Sequence, residues 1–265
     1  MEHSASRGKG KIVLLFAILG MCVAAMFYFA FALFSELHMT RQGQNFYASL
    51  SVEMLPRSGE PGRSPQEGGF AAASPEEEGG FIDFDAKRGQ FPSIVGWIQS
   101  EGTVINYPIV KGPDNDFYLY RLADGTPHAM GSIFMDYRNA ADFSDRNIII
   151  YGHDMRSGDK FGSFRNYADQ EYFEAHHSMF ILTPDANFEL MLFAGYVLDS
   201  SQEVPPMDFF DEAHFNRYIA DIRRRSIFRS DLEVGYGSRL VFLATCTPGG
   251  SVHERLILVG KLAEF

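Results

Sequence analysis

The stretch IVLLFAILGMCVAAMFYFAFALF, Ile12 to Phe34, carries no charged side chain, and no other feature limits so strongly what this chain can fold into. A helix crosses the hydrocarbon core of a bilayer with about 20 consecutive apolar residues, all its backbone polar groups being satisfied within the segment. A secretory leader has a shorter apolar core, about 7–15 residues, ending at a small-residue cleavage site. The sequence FALFSELHMT at the end of this run offers no such site, so the run reads as an uncleaved anchor. Arg7, Lys9 and Lys11 precede it, and Arg41 is the only Arg or Lys close behind it. The positive-inside rule then assigns residues 1–11 to a cytoplasmic tail and 12–34 to the span, with everything later outside the cell. The expected location is the cell membrane, single-pass, with an extracellular domain.

Beyond the span, SELHMTRQGQNFYASLSVEML can continue as a juxtamembrane helix. It is followed by PRSGEPGRSPQEGGFAAASPEEEGG, rich in Pro, Gly, Ser and Glu. Such a composition buries too little apolar surface to offset ordering entropy, so residues 35–90 read as a helix and a flexible linker. From residue 91 to 265 the pattern changes. Short apolar runs recur: IVGWIQ, INYPIV, GSIFMD, NIIIYG, MFILTP, FELMLFAGYVLD, RLVFLATC and RLILVGKL, with Gly, Pro, Asn and Asp between them. Eight strands in a segment of this length suit a closed or nearly closed β-barrel. Helical periodicity is confined to FGSFRNYADQEYFEAH and MDFFDEAHFNRYIADIRRR. The expected class is mostly β, with helical insertions.

A hydrophobic fraction of 46% is ample for a core, and the net charge of −11 argues against a nucleic-acid partner, which needs a concentrated basic face. The one basic cluster, RRRSIFRS at Arg223–Ser230, follows a helix-like stretch and reads as a solvated helix end favoured by the dipole. No histidine–carboxylate spacing matches a metal site, a lone thiol cannot build structural zinc, and the acidic PEEEGG sits in the linker. No metal or cofactor is expected.

The chain has two cysteines, Cys22 within the span and Cys246 at the exit of RLVFLATC, which cannot meet in a disulfide. Outside the cell most structural cysteines are paired, so Cys246 is either a buried inert thiol or a nucleophile. A nucleophilic thiol needs a base or cation beside it. Among eight histidines, His153 is best placed, where the run NIIIYG emerges into a loop behind Gly152. His128, His176, His177 and His253 occupy turn, helix and loop positions, and any histidine taken singly can be an ordinary packing or surface group. Arg255 opens RLILVGKL, so a hairpin with RLVFLATC returns it to Cys246. There it could stabilise an oxyanion, or merely extend its charge to water from an edge strand.

NIIIYGHDMRSGDKFGSF, LVFLATC and a following strand headed by arginine together resemble the sortases, membrane-anchored cysteine transpeptidases of Gram-positive bacteria. The upstream segment VGWIQSEGTVINYPIVKGPDNDFYLYRLADGTPHAMGSIFMDYRN, the long YGHDMRSGDKFG loop and the insertion MDFFDEAHFNRYIADI resemble class B in particular, over about Phe91 to Leu262. The resemblance implies an eight-stranded barrel that cleaves a C-terminal sorting signal of secreted proteins after a threonine. The thioester so formed passes to an amine of the peptidoglycan cross-bridge, of its lipid-linked precursor or of a pilin lysine. It further implies Cys246 as nucleophile, His153 as acid/base and Arg255 as stabiliser, with Asn115, Leu119, Tyr151 and Thr245 at the substrate groove.

Ala244 stands where class B members often have serine, and Thr247 where an acidic residue is common. Both bear on the sorting motif rather than the reaction. Two alternatives remain open at the level of sequence. An L,D-transpeptidase packs its histidine, cysteine and arginine into a short cluster, unlike the spacing here. A membrane-tethered, non-enzymatic wall-binding β module would use YGH and TC only for packing.

Overall fold

The computed structural model describes residues 3–51, 82–199, 205–246 and 254–265. The expected Pro/Gly-rich linker and the loop after Cys246, with Thr247 and His253, lie outside the described residues. The chain forms two compact units, residues 1–46 and 47–265.

Helix α1, His3–Leu50, contains the uncharged run and continues without a break through the expected juxtamembrane helix. No proline interrupts it. Among the described residues it is the one helix long and apolar enough to cross a membrane. Its last turn, from Tyr47 to Leu50, belongs to the second unit, where both residues are buried. Helix α2, Phe84–Gln90, lies in the region read as linker. The Asp83 carboxylate caps it by accepting from Ala86 N at 2.8 Å, Phe84 is buried, and Lys87 Nζ donates to the Leu50 carbonyl at 3.0 Å.

Eight strands follow, with two more helices among them. In chain order these are β1 (Ile94–Gln99), β2 (Asn106–Lys111), β3 (Ile133–Met135), β4 (Asn147–His153), α3 (Gln170–Ala175), β5 (Ser178–Leu182), β6 (Asn187–Asp199), α4 (Glu212–Arg225), β7 (Arg239–Cys246) and β8 (Glu254–Glu264). They close into a barrel in the order β1-β2-β3-β4-β7-β8-β6-β5. Each of the eight apolar runs supplies one strand. Two seams, β2–β3 and β4–β7, are parallel, and the other pairings are antiparallel. Parallel neighbours require a crossover, and the crossover from β4 to β7 contains α3, the β5–β6 pair and α4.

Strands β1, β4 and β5 are buried at every position, because the core fills one face and insertions cover the other. That is why they read as continuous apolar runs rather than alternating ones. A 3-10 segment, Phe161–Ala168, stacks Phe161 on Phe164 with ring centroids 4.3 Å apart. Helix α4 buries Phe215, Ile219 and Ile222, an apolar stripe of helical period. Its basic end does more than meet solvent: Arg223 donates to the Ser230 and Leu232 carbonyls and so fastens the following loop.

Phe242 is fully buried and registered with Ile149 across the β4–β7 seam. Phe242→Ala is expected to cost about 3–5 kcal/mol, read as a lower urea midpoint of the full chain in detergent micelles. An unchanged midpoint would contradict this packing.

Candidate active site

The β4–β7 seam runs in unbroken register from Asn147 opposite Leu240 to His153 opposite Cys246. Neighbouring strands lie roughly 5 Å apart and registered residues share a face, so the last residues of the two strands are direct neighbours. On the other side of β7, β8 pairs antiparallel from Arg239–Leu262 to Ala244–Ile257. Continued by two residues, that register sets Arg255 across from Cys246. The Thr245 hydroxyl oxygen accepts from Leu256 N at 2.9 Å, which fits this continuation. Arg255 is half-buried and pairs on its far side with Leu198 of β6. Three adjacent strand ends thus bring together the histidine, cysteine and arginine singled out in the sequence.

His153 is only 2% exposed. Its Nε2 lies 2.5 Å from the main-chain carbonyl of Leu119. A carbonyl can only accept, so Nε2 carries the proton and Nδ1 is the basic nitrogen of the neutral ring. The Tyr120 ring, itself 56% exposed, lies beside the imidazole with centroids 5.9 Å apart. Gly131 closes the remaining side with φ +57°, and a Cβ there would collide with Leu119 O and stand 2.9 Å from His153 Nε2. Only glycine fits, both for the left-handed backbone and for the close approach.

The other described candidate histidines have structural partners. His128 accepts at Nδ1 from Met130 N and supports the turn leading to Gly131. His176 meets the Glu101 carbonyl, and His177 meets that of Glu174, each through Nδ1.

Of the expected groove residues, Leu119 reaches His153 through its carbonyl rather than its side chain. Asn115 and Tyr151 converge on a buried carboxylate: Asn115 Nδ2 and Tyr151 Oη each donate to Asp136 Oδ2 at 3.0 Å. Arg138 grips both oxygens of Asp136 at 2.8 Å, and its backbone N–H adds a third donor at 3.0 Å. Burial alone would raise the Asp136 pKa. The Arg138, Asn115 and Tyr151 hydrogen bonds outweigh it and hold the carboxyl at about 2. Asn115 Oδ1 in turn accepts from Tyr137 N at 3.0 Å. Two side chains expected at the substrate groove are therefore seen here bonded to a buried carboxylate.

No family model matches the chain. Curated relatives do. Sortase B of Listeria monocytogenes is 33% identical over 170 residues, which cover 64% of this chain and 69% of the relative. This chain belongs to the sortase B family. Among solved structures, Bacillus anthracis sortase B superposes with TM-score 0.63 at 35% identity, covering 69% of this chain and 83% of that one. Staphylococcus aureus sortase B gives TM-score 0.66 at 27% identity, covering 69% and 87%. Family membership makes the molecule a sortase cysteine transpeptidase, and the wall-binding module and L,D-transpeptidase alternatives fall away.

Sequence reasoning passed over Gly131, Tyr120, Asp136 and Arg138 in this sortase B. The signal for Asp136 was present: an acidic residue directly after the buried run SIFM, with arginine two places on. For Gly131 no local signal distinguishes it from any turn glycine.

Gly131→Ala should cut turnover by roughly 100-fold, the scale of a displaced catalytic group, while far-ultraviolet circular dichroism stays native; wild-type turnover would refute the fit. Because the folded pKa of Asp136 lies below its ordinary value of about 3.9, the unfolded chain binds more protons between pH ~4 and ~2. Its contribution is therefore complete above pH ~4 and disappears as pH falls toward ~2. Asp136→Asn should lower stability at pH 7 by roughly 1–3 kcal/mol and flatten the acid limb of a melting-temperature–pH curve. An acid limb identical to wild type would exclude this role.

Proposed function

We propose that Cys246 is the nucleophile, His153 the general acid/base and Arg255 the stabiliser of the oxyanion or substrate carbonyl, in a reaction carried out outside the cell. The observation that supports this most directly is the strand register, His153 opposite Cys246 with Arg255 next across. The thiolate adds to the carbonyl carbon of the scissile bond, and negative charge collects on the oxygen, which the guanidinium meets. The C–N bond breaks, the leaving amine takes a proton from the imidazolium, and a thioester remains. An acceptor amine then adds to the thioester, gives its proton back to the imidazole and expels the sulfur.

In the resting neutral ring the Leu119 carbonyl fixes the tautomer, so Nδ1 is the nitrogen that exchanges protons. That orienting partner is a neutral carbonyl rather than a carboxylate. It orients the ring without placing a negative charge against it.

Staphylococcus aureus sortase B has been solved in complex with a substrate, and a sortase B has been solved with triglycine. By analogy this chain takes a C-terminal sorting signal as acyl donor and the amine of a peptidoglycan cross-bridge or its lipid-linked precursor as acceptor. Asn115, Leu119, Tyr151 and Thr245 shape the donor groove in this reading, with Thr245 also fastening β7 to β8. Arg7, Lys9 and Lys11 ahead of the apolar run support a cytoplasmic N-terminus.

The test is a peptide-library cleavage screen with the full chain in micelles, with triglycine or a lysine-containing pilin peptide as acceptor amine. Cys246→Ala should abolish cleavage. His153→Ala should reduce kcat by roughly 10²–10⁴, and Arg255→Ala by roughly 10²–10³. Cleavage surviving in Cys246→Ala would overturn the assignment, and transfer to the lysine peptide alone would replace the cross-bridge acceptor.

A further inference from the structure

Lys160 is buried completely. Its Nζ has no hydrogen-bond partner among the described residues. The amine instead lies 2.9 Å from the ring centroid of Tyr47 and 4.2 Å from that of Tyr107, and the two rings meet edge to face at 5.4 Å. Burial pushes the amine well below its ordinary pKa, opposed by Asp159 in its own loop. Neither ring offers an anion, since burial raises the Tyr107 phenol to about 12 and that of Tyr47 further. The Lys160 backbone adds strain, with φ +54° in a region that non-glycine residues rarely occupy.

The place of this residue in the chain gives the arrangement its meaning. Lys160 bridges back to Asp154, the residue after His153, and closes the loop that leaves β4. Phe161, next in line, lies against Gly152, where a Cβ would stand 2.7 Å from the ring. Gly131 also lies against the imidazole, and Tyr47 reaches it too. Its hydroxyl donates to the Gly131 carbonyl at 2.8 Å and lies 3.0 Å from Ser132 Oγ. Ser132 Oγ in turn donates to the Arg121 carbonyl at 2.8 Å. One side chain, from the last turn of α1, thus touches both the Gly131 carbonyl beside His153 and the Lys160 amine of the loop that leaves β4.

We propose that Tyr47 is a positioning residue for His153, clamping Gly131 with its hydroxyl and Lys160 with its ring so that the imidazole keeps its hydrogen bond to Leu119. This rests on the reading of His153 as acid/base. It makes the end of the anchor helix a working part of the active site. It also gives the buried lysine a use: its amine packs on the two rings and ties the loop to them.

The test uses the full chain in detergent micelles, with Tyr47→Phe, Tyr47→Leu, Lys160→Gly and the Tyr47→Leu/Lys160→Gly double variant. Glycine suits the backbone at 160, so Lys160→Gly removes the clamp without adding strain. One readout is kcat and KM for a fluorogenic peptide chosen by library cleavage. The other is the titration midpoint of His153, followed by deuterium exchange at its Cε1 and mass spectrometry.

In Tyr47→Leu and Lys160→Gly, kcat should fall roughly 10–100-fold with KM little changed, and the His153 midpoint should shift. Tyr47→Phe should lie between these variants and wild type, and the double variant should lose no more than either single one, because both break the same clamp. Wild-type kcat and midpoint in Tyr47→Phe and Lys160→Gly, with only the melting temperature lowered, would overturn the proposal; so would an effect on KM alone. If Tyr47→Leu does not fold, those two variants decide the matter. His153→Ala serves as the control: retained cleavage would remove His153 from the reaction, whereas its loss beside unaffected Tyr47 variants would remove the clamp alone.

Discussion

The parallel pairing of β4 with β7 is the constraint on which the rest of the molecule depends. Hydrogen bonds along this seam, from Asn147–Leu240 to His153–Cys246, fix the register of two strands. A slip of one residue would turn every side chain on a strand to its other face. His153 would then no longer stand opposite Cys246. The apolar residues that enforce the register, Ile148 to Ile150 on one strand and Leu240 to Leu243 on the other, are all fully buried. A slip would therefore disrupt the core as well as the chemistry, so the barrel's packing and its active site select the same alignment.

Two buried ionisable groups near that seam illustrate opposite solutions to one problem. Asp136 is surrounded by donors from Arg138, Asn115 and Tyr151, so its charge is favoured even out of water. Lys160 receives no acceptor among the described residues, and its amine is pushed toward neutrality between two rings. The carboxylate braces the wall holding Asn115 and Tyr151. The amine belongs to the loop that leads away from His153. Satisfied charge gives rigidity at the first place, and ring packing gives it at the second.

What could be read from the sequence follows from the range of the interactions involved. Runs such as NIIIYG and RLVFLATC announced strands because a barrel covered on both faces demands continuous apolar segments, and that signal is local. The candidate site residues were legible because a lone thiol beyond the apolar span, a histidine at a strand end and a hairpin arginine are each unusual in their own surroundings. Helix α2 escaped because it is short and is held by a cap at Asp83 and one buried residue, Phe84, rather than by a long amphipathic period. The Asn115 and Tyr151 contacts to Asp136, the fit of Gly131 against His153 and the Tyr47–Lys160 contact were hidden for another reason. Each joins segments far apart in the chain, and nothing in either segment alone names its partner.

The crossover between β4 and β7 also has a temporal meaning. His153 leaves the ribosome well before Cys246, and nearly all of the barrel's second half is made between them. Pairing over such a separation is a high-contact-order event, of the kind that slows folding. Until that seam closes, Cys246 and His153 stay apart in the chain. On the roles proposed for them above, acyl transfer then depends on the completed β4–β7 pairing, and the architecture ties the proposed chemistry to finished folding.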